Sequence, residues 1–587
     1  MTRRSGAIHV ARVVRKYTTK AGPAESVSHL LRRSYRADGK IKHETVANVS
    51  ALPAPALDAL RAALAGKPLL VAGEGLEITR SLPHGHLAAV AAQGRLLGLP
   101  DLLGPPCRSR DIAAALVLSR VVRPASKLAT ARWWADTTIG ADFGLVEVGT
   151  DEVYAAMDWL LDRQDAIEAV LARRHLAGAA NPAGLAYFDL TSAWVEGRHC
   201  PLAARGYSRE GKKGLPQIEY GLLTDGAGRP VAVRVFPGNT ADPSAFTAIV
   251  EVARDRFGLR ELVMVGDRGM ITSARIDALR ELGGLGWLTA LRAPAIAALA
   301  ADDGPLQLSL LDQADLAEFA HPDYPGERLV AARNPALAAE RARKRTELLA
   351  ATAAALAPIV TAVDAGRLRG ADKIGLRVGR VLGRHKMAKH LAVTITDTTL
   401  AIARDEASIA AEAALDGIYV LRTTVGTDLS TAGVVTAYKN LANVERDFRH
   451  LKVDDLDLRP IHHHLEDRVR GHVLVCFLAG YLVWHLRRAL APLTFTDEAP
   501  PGRDNPVAPA RRSAAAAAKA AAKTSPAGEP VRGFRELLDH LGTLTRNHIR
   551  ASSGTGVDTE FELLATPTPT QRRAFELLGA PIPRTLK

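Results

Sequence analysis

The sequence predicts an α/β protein whose central part has the element order βββαβαβ. Three strand-like runs follow Asn181-Pro182, and the turn Asp225-Gly226-Ala227-Gly228 joins the second run to the third. A helix opening at Asp242-Pro243, a capping residue before a proline, leads into a fourth run. A mainly helical region precedes this part, and a mixed, β-rich stretch interrupts it.

The elements of the central part can be read in chain order. The strand-like runs are residues 185–195 (LAYFDLTSAWV), 216–225 (PQIEYGLLTD), 229–238 (RPVAVRVFPG), 261–267 (ELVMVGD) and 286–292 (GWLTALR), with helices over 242–256 and 272–282. Three antiparallel strands followed by two strands reached through helices is the order of a ribonuclease-H-like core.

Later segments have weaker signals. Residues 335–365 read as a long helix, 373–383 (KIGLRVGRVLG), 390–397 and 417–425 read as strands, and 434–453 (VVTAYKNLANVERDFRHLKV) reads as one further helix. The apolar run 473–484 is shorter than the roughly 20 residues of a membrane span, so we interpret it as a buried helix.

Composition narrows the class of protein. Of 587 residues 47% are apolar, which excludes wholesale disorder, and Lys and Arg exceed Asp and Glu by 13. Such an excess favours an anionic partner, most simply nucleic acid, although a generally basic surface with no partner is the alternative. No secretory signal is visible, and three scattered cysteines fit a reducing cytoplasm.

These patterns divide the chain into seven segments. They are a β-hairpin unit with the turn Asp38-Gly39 (1–54), a helical DNA-binding region (55–180), the first part of the ribonuclease-H-like core (181–292), an inserted β-rich subdomain (293–430), the core's second part with the helix over 434–453 and the buried helix (431–495), a low-complexity linker (496–530) and a C-terminal helical tail (531–587).

Two aspartates stand where such a sheet would bind a ligand. Asp189 lies in the first strand among apolar neighbours, where an ionised carboxylate is costly unless it is paired or bound to metal. Asp267 ends the fourth strand, and strands one and four are adjacent in the predicted sheet. Either aspartate alone would more often be a turn or cap residue, but two at neighbouring strand ends are more specific.

The helix over 434–453 offers a third carboxylate. At 100° per residue, Val444, Phe448 and Leu451 share an apolar stripe, which predicts a packed face. The adjoining stripe carries Tyr438, Glu445, Arg449 and Lys452. Glu445 could complete an oxygen site for a hard cation such as Mg²⁺, or it could simply pair with Arg449 across one turn.

Basic residues near these carboxylates are candidates for contact with DNA phosphates. Arg205, Arg209, Lys212 and Lys213 surround two glycines in the loop between the first two strands, and Arg268 follows Asp267. The alternative for the loop is an ordinary surface loop of a basic protein.

Four sequence blocks carry a family resemblance. YFDLTS, GYSREGKKGLPQIEYGLLTDGAGRPVAVRVFPGNTADP, VGDRGMIT and AYKNLANVERDFRHLK resemble the blocks of DDE-class insertion-sequence transposases, specifically the insertion-sequence-four superfamily and its insertion-sequence-sixteen-thirty-four branch. The resemblance implies that Asp189, Asp267 and Glu445 are the catalytic and metal-binding triad. It also implies phosphate contacts at Tyr438 and Lys452, with Leu441 where an arginine is typical, so that Arg449 or Arg446 would substitute.

The resemblance further implies an activity and its requirements. A transposase of this class would bind terminal inverted repeats as a homodimer and would use Mg²⁺, or Mn²⁺, to cut and join DNA strands. We expect it in the cytoplasm, associated with the nucleoid and not with a membrane. Two alternatives remain at this stage: a metal-dependent nuclease of the same fold without strand transfer, and a DNA-binding relative that has lost catalysis.

Overall fold

The computed structural model describes residues 6–19, 22–37, 40–67, 76–178, 181–212, 214–259, 261–301, 304–307, 311, 315–499, 505–508, 510–552 and 558–587. The chain forms two compact units, Met1–Pro83 with Leu544–Thr566, and His84–Thr543 with Pro567–Lys587. Elements are numbered in chain order through both units.

The first unit contains two antiparallel sheets. Its elements are β1 (Ala7–Thr19), β2 (Gly22–Ala37), β3 (Lys40–Asn48), α1 (Ala54–Leu64), β4 (Leu76–Pro83), β15 (Thr545–Ser552) and β16 (Asp558–Leu564). One sheet has the order β1-β2-β3 and the other β16-β15-β4. The turn Asp38-Gly39 lies outside the described residues. Two expectations are wrong here: β4 interrupts the predicted helical region, and β15 and β16 replace helix in the C-terminal tail.

The second unit begins with helices. They are α2 (Gly85–Leu96), α3 (Leu99–Leu103), α4 (Arg108–Val122), α5 (Lys127–Trp134), α6 (Thr138–Phe143), α7 (Thr150–Leu161) and α8 (Gln164–His175). Apolar side chains of α4 and α7 are almost fully buried, among them Ile112, Leu116 and Val153. These helices build the core against which the later helix over 466–489 packs.

The central elements follow in the predicted order. They are β5 (Leu185–Trp194), β6 (Gln217–Thr224), β7 (Pro230–Pro237), α9 (Asp242–Glu251), β8 (Leu262–Val265), α10 (Ser273–Leu282) and β9 (Leu285–Ala290). α9 continues into a π-helical turn, Val252–Arg256. β5 pairs in parallel with β8, and β8 with β9, whereas β6 is antiparallel to both β5 and β7.

The stretch after β9 is more helical than the sequence suggested. Its elements are α11 (Ala293–Leu299), β10 (Leu316–Phe319), β11 (Arg328–Arg333), α12 (Pro335–Asp364), α13 (Ala371–His385), β12 (Leu391–Ile395), β13 (Leu400–Arg404), α14 (Glu406–Ala414) and β14 (Ile418–Thr423). The strand predicted over 373–383 is wrong, since these residues belong to α13. Ile374 and Val378 are buried one helical turn apart, while Leu376 is exposed.

Three strands of this stretch extend the central sheet. The full order is β10-β11-β14-β9-β8-β5-β6-β7, with β14 antiparallel to β9. β12 and β13 form a separate two-stranded sheet. β14 lies between β9 and β11, so the chain adds β10 and β11 to the sheet first and inserts β14 between β11 and β9 after α12, α13, β12, β13 and α14.

The helix predicted over 434–453 is not continuous. It consists of α15 (Thr431–Lys439), α16 (Leu441–Arg449) and a π-helical turn, His450–Asp454, with a break at Asn440. The following α17 (Glu466–Ala489) is the predicted buried helix, and it packs against α4, α7 and β7.

The remaining elements are short. They are α18 (Ala514–Ala522), α19 (Phe534–Gly542) and α20 (Pro569–Leu577). The low-complexity stretch is thus partly helical, and it is anchored because Lys519 is buried and donates hydrogen bonds to the carbonyls of Ala491 (2.8 Å) and Thr496 (2.9 Å).

Among the residues that the structure describes, two helices are long and apolar enough to cross a membrane by length and composition alone, α12 and α17. In α17, 83% of the most apolar stretch is buried within the protein, as in a core helix; in α12 the share is 22%.

Candidate active site

Asp189 and Asp267 lie at the same level of the central sheet. β5 and β8 pair in parallel with Tyr187 opposite Val265. Each aspartate is two residues beyond this pair, Asp189 within β5 and Asp267 just after β8. Adjacent strands are about 4.8 Å apart, so the register brings the two side chains to neighbouring positions.

Asp189 is a carboxylate in an unfavourable environment. Its pKa is raised to about 6, mainly by burial and in smaller part by the negative charges of Asp267 and Glu445. A hydrogen bond from the Leu190 N–H to Oδ1 (2.8 Å) and the positive charge of Arg209 act in the opposite direction. The three carboxylates therefore interact electrostatically, as the prediction of a common site requires.

Asp267 is held by the turn that follows β8. Its Oδ1 accepts hydrogen bonds from the N–H groups of Gly269 (2.9 Å) and Met270 (2.8 Å). Its Oδ2 has no hydrogen-bond partner in the described part of the chain, and the side chain is exposed. The turn fixes the orientation of the carboxylate and leaves one oxygen available to a ligand.

Glu445 lies on the exposed side of α16, which packs on β5. The predicted apolar stripe is confirmed, because Val444, Phe448 and Leu451 are all buried. The Phe448 ring meets Tyr220 edge to face, with centroids 5.6 Å apart. Within the described residues Glu445 makes no ion pair with Arg449, so the simple helix-surface pairing is not what the structure contains.

Tyr438 is the fourth member of this electrostatic group. Its pKa is raised to about 12, mainly by burial and in smaller part by the charges of Asp267, Glu445 and Asp189, while Arg268 opposes the shift. The phenol therefore keeps its proton at neutral pH and can donate a hydrogen bond to an anionic oxygen.

The three carboxylates are ligands of the chemical type that a hard divalent cation binds. Carboxylates are the ligands that Mg²⁺ and Mn²⁺ prefer, and a bound cation would offset the burial and the carboxylate repulsion that raise the pKa of Asp189. The carboxylates do not form a closed ligand cluster, however. Among the described residues, no group of three or more His, Cys, Asp or Glu side chains is arranged to hold an ion.

Arg209 faces acidic side chains of the protein itself. It forms ion pairs with Asp242 and with Glu219 (3.5 Å). Its backbone N–H donates to Ser192 Oγ (3.2 Å), which ties the loop to β5. The predicted contact of Arg209 with a DNA phosphate would require these ion pairs to rearrange.

Sequence reasoning missed Glu219 and took Asp242 for a helix cap, whereas the cap position is Ala241 and Asp242 is the first residue of α9. Together with Arg209 and Asp267 they line a cavity of about 460 Å³. Glu219 is 2% exposed, its Oε2 has no hydrogen-bond partner, and burial raises its pKa to about 7. The available signal was the single charged residue in the buried strand β6, next to a basic loop.

Lys452 is buried, contrary to the predicted stripe. Its ammonium donates to Thr191 Oγ1 (2.6 Å) and pairs with Glu210 (2.9 Å), which also pairs with Arg459 (2.9 Å). The ideal spacing of 100° fails here because the helix widens into the π-helical turn His450–Asp454. Lys452 thus binds the loop between β5 and β6 in this structure.

The other predicted cations are exposed. Arg205, Arg268 and Arg449 have no ion pair or hydrogen bond from their side chains within the described residues. The Nζ of Lys212 lies 5.4 Å from the centre of the Trp194 ring. Lys213 lies outside the described residues.

Leu441 begins α16 and is partly buried against the core. Of the two arginines that could replace the missing one, Arg446 donates a hydrogen bond to Asn443 and Arg449 remains free within the described residues. Arg449 is the better placed of the two to meet an external anion.

One family of known proteins matches this part of the chain. The sequence model of the family described as "Transposase DDE domain" matches residues 189–482, half of the chain, and this range contains Asp189, Asp267 and Glu445. No curated protein matches the chain. Because the match spans half of the chain, the protein belongs to the DDE-domain family of transposases of mobile DNA elements.

Proposed function

We propose that the protein binds the terminal inverted repeats of an insertion sequence, cleaves its DNA strands at the element's ends and transfers them to a target. Asp189, Asp267 and Glu445 are the catalytic carboxylates of this proposal. The observation that carries it is the parallel register of β5 and β8, which sets Asp189 and Asp267 side by side next to α16.

Mg²⁺, or Mn²⁺, held by the three carboxylates would supply Lewis-acid activation of the attacking and leaving oxygens. The chain's own groups would bind and orient the DNA. The neutral phenol of Tyr438 would donate a hydrogen bond to a phosphate oxygen near the scissile bond, and Arg268 and Arg449 would contact the backbone on either side. No nucleophile from the protein is required.

The fold of the catalytic part supports the same proposal. The order β9-β8-β5-β6-β7, with β6 antiparallel to its neighbours, supports the proposal of a ribonuclease-H-like sheet. Residues 293–430 would be an insertion into this core, and α16 after it would bring the third carboxylate. We further propose membership of the insertion-sequence-four superfamily and its insertion-sequence-sixteen-thirty-four branch, a homodimer on DNA, and a cytoplasmic, nucleoid-associated location.

The experiment is a cleavage and joining assay on DNA that carries the repeats flanking the gene. Purified protein is incubated with labelled ends, target plasmid and Mg²⁺. Asp267→Asn is the informative variant, since the amide oxygen can still accept the hydrogen bonds from Gly269 and Met270 while the negative charge is removed. Asp277→Asn, on the exposed surface of α10, is the matched control.

Cut and joined products in the wild type and in Asp277→Asn, but not in Asp267→Asn, would support the proposal. Cleavage without joined product would instead identify a nuclease. Binding of the ends with neither product in the wild type would contradict both.

A further inference from the structure

Arg209 and Glu210 are consecutive residues of opposite charge that lie on opposite faces of the central sheet. In the antiparallel ladder of β5 and β6, the side chains of Thr191 and Ser192 point to opposite faces. Glu210 lies on the face of Thr191, because the ammonium of Lys452 contacts both side chains (2.9 Å and 2.6 Å). Arg209 lies on the other face, where its N–H donates to Ser192 Oγ (3.2 Å). The loop that carries the two residues therefore contacts both faces of β5.

The two side chains are held differently. Glu210 is 6% exposed and has two cationic partners, Lys452 and Arg459, each 2.9 Å away. The side chain of Arg209 is 22% exposed, and its guanidinium bonds to Asp242, which is itself 33% exposed. Because Glu210 fixes the loop on its own face, the guanidinium of Arg209 can leave its partner without detaching the loop from the sheet.

The guanidinium of Arg209 lies in a cavity that reaches the candidate active site. Among the described residues that line this cavity of about 460 Å³, Arg209 is the only cation, and Asp242, Glu219 and Asp267 are the acidic residues. Arg209 also interacts electrostatically with Asp189. Its positive charge therefore acts on both aspartates that a divalent cation would need.

A divalent cation and a DNA phosphate would respond to this charge in opposite ways. A cation at Asp267 would be repelled by the guanidinium of Arg209, since charges in a cavity shielded from bulk water interact strongly. A phosphate would attract it, because arginine binds phosphate through two parallel hydrogen bonds, whereas a partly exposed ion pair such as that with Asp242 is weak. Transfer of the guanidinium to a phosphate would leave the cavity more negative and more favourable for a cation.

We propose that Arg209 is an exchangeable counter-ion that makes DNA and the divalent cation bind cooperatively. In the DNA-free protein its guanidinium neutralises carboxylates of the cavity and lowers the affinity for the cation. A phosphate of bound DNA takes over the guanidinium, and the affinity for the cation rises. By thermodynamic linkage the cation raises the affinity for DNA by the same factor. The inference rests on the proposed function, which supplies DNA and a divalent cation as ligands, and it assigns to Arg209 the regulation of metal binding.

The test compares three variants of the full chain. Arg209→Gln removes the charge and Arg209→Lys keeps it. Arg254→Gln is the matched control, because Arg254 also pairs with an aspartate, Asp255 (2.6 Å), but in the π-helical turn at the far end of α9 from Asp242. Mn²⁺ is titrated into the DNA-free proteins, and the free ion is followed by its electron paramagnetic resonance signal. The melting temperature of each metal-free variant is measured as a check of folding.

Arg209→Gln should bind Mn²⁺ about tenfold more tightly than the wild type, because a repelling charge has been removed. Arg209→Lys and Arg254→Gln should bind the ion as the wild type does. An arginine that only supports the structure of the site would give the opposite sign, since its loss would loosen the carboxylates. Weaker or unchanged binding of Mn²⁺ by a folded Arg209→Gln would therefore overturn the inference.

The transfer to phosphate is tested with a fluorescent duplex that carries one of the repeats flanking the gene. Its binding is measured by anisotropy over a range of KCl concentrations, in EDTA and in Ca²⁺. In EDTA, Arg209→Gln should lower the slope of log K against log salt by about 0.9, the value for one lost phosphate contact. The gain in duplex affinity caused by Ca²⁺ should be about tenfold smaller in Arg209→Gln than in the wild type. An unchanged slope would show that Arg209 keeps its carboxylate partners on DNA, which would also overturn the inference.

Cleavage and joining are scored separately in the same preparations with Mg²⁺. If the wild type yields products while Arg209→Gln binds Mn²⁺ and the duplex like the wild type, the counter-ion role is refuted and the proposed function stands. If both binding results hold but no preparation yields products, the counter-ion role stands and the proposed function fails. A wild type that binds neither Mn²⁺ nor the duplex would contradict both.

Discussion

Lys452 and Glu210 form a buried ion pair, with 2.9 Å between the ammonium and a carboxylate oxygen, that joins the turn after α16 to the loop between β5 and β6. Burial lowers the pKa of Lys452, and the bond with Glu210 opposes that shift. Lys452 is therefore part of the structure around the site before any DNA arrives, whereas Arg449 one turn earlier is exposed. The two residues should respond differently to substitution.

Lys452→Met should lower the free energy of unfolding by about 2 kcal/mol. This is less than the roughly 3–5 kcal/mol for breaking an isolated buried pair, because Arg459 still contacts Glu210. Arg449→Gln should change stability by less than about 0.5 kcal/mol and lower the salt slope of DNA binding by about 0.9. Urea unfolding and anisotropy on the same preparations check both, and equal stability of the two variants would refute the structural role of Lys452.

The Glu219 carboxyl should make stability depend on pH. Its pKa is raised to about 7 in the folded protein from an ordinary value near 4.5. Below pH 4.5 the carboxyl is protonated in both the folded and the unfolded chain. Between pH 4.5 and 7 it ionises only in the unfolded chain. The free energy of unfolding therefore falls as pH rises through this range, by up to about 3 kcal/mol.

Glu219→Gln removes this dependence while keeping the shape of the side chain. The variant should match the wild type at pH 4.5 and be more stable than it at pH 8, with both measured by urea unfolding in EDTA. If the variant is less stable at pH 8, the ionised carboxylate is instead a stabilising partner of Arg209.

Metal binding should be visible without catalysis. At 100 times its dissociation constant, Mg²⁺ should raise the free energy of unfolding by about 2.7 kcal/mol, since it binds only the folded protein. Glu445→Gln should lose most of this effect, and Glu340→Gln, exposed on α12, should retain it. Thermal shift with Mg²⁺ against Ca²⁺ and EDTA is the measurement; an unchanged shift in Glu445→Gln would remove this residue from the metal site.

Elements with a clear periodicity of apolar residues could be predicted from the sequence. The run of β5, β6 and β7, the start of α9 at Asp242-Pro243 and the buried α17 follow from alternation, a helix-starting proline and apolar length, although Asp242 does not cap the helix. α13 could not, because Ile374, Leu376 and Val378 alternate as in a strand while Ile374 and Val378 also fit one helical turn. Only the partners packed against the segment decide between the two periods.

The candidate site, like the fold, has parts that the sequence predicts and parts that it does not. Asp189 and Asp267 follow from strand position, and Val444, Phe448 and Leu451 from helical spacing, because both depend on regular backbone geometry. Lys452 is buried because the helix widens into a π-helical turn. Glu219 has an ion-pair partner only because the loop that carries Arg209 covers β6. Neither is encoded in a local pattern.

The turn after β6 should control the position of α16. Gly228 has φ +82°, and a Cβ there would lie 2.8 Å from Asn443 Cβ and 3.1 Å from Asp447 Oδ2. Asn443 also donates a hydrogen bond to the Gly226 carbonyl (3.3 Å), so the turn and α16 are in direct contact. Gly228→Ala must therefore strain the backbone and also displace the helix that carries Glu445.

Gly258→Ala is the matched control, since Gly258 also has a positive φ (+69°) but nothing lies within 4 Å of the added Cβ. It should cost about 1 kcal/mol of stability through backbone strain and leave cleavage unchanged. Gly228→Ala should cost more and should lower the cleavage rate at least tenfold, because a shift of even a few tenths of an ångström separates Glu445 from the two aspartates. Equal cleavage by the two variants at equal folded fraction would show that the position of α16 does not depend on this turn.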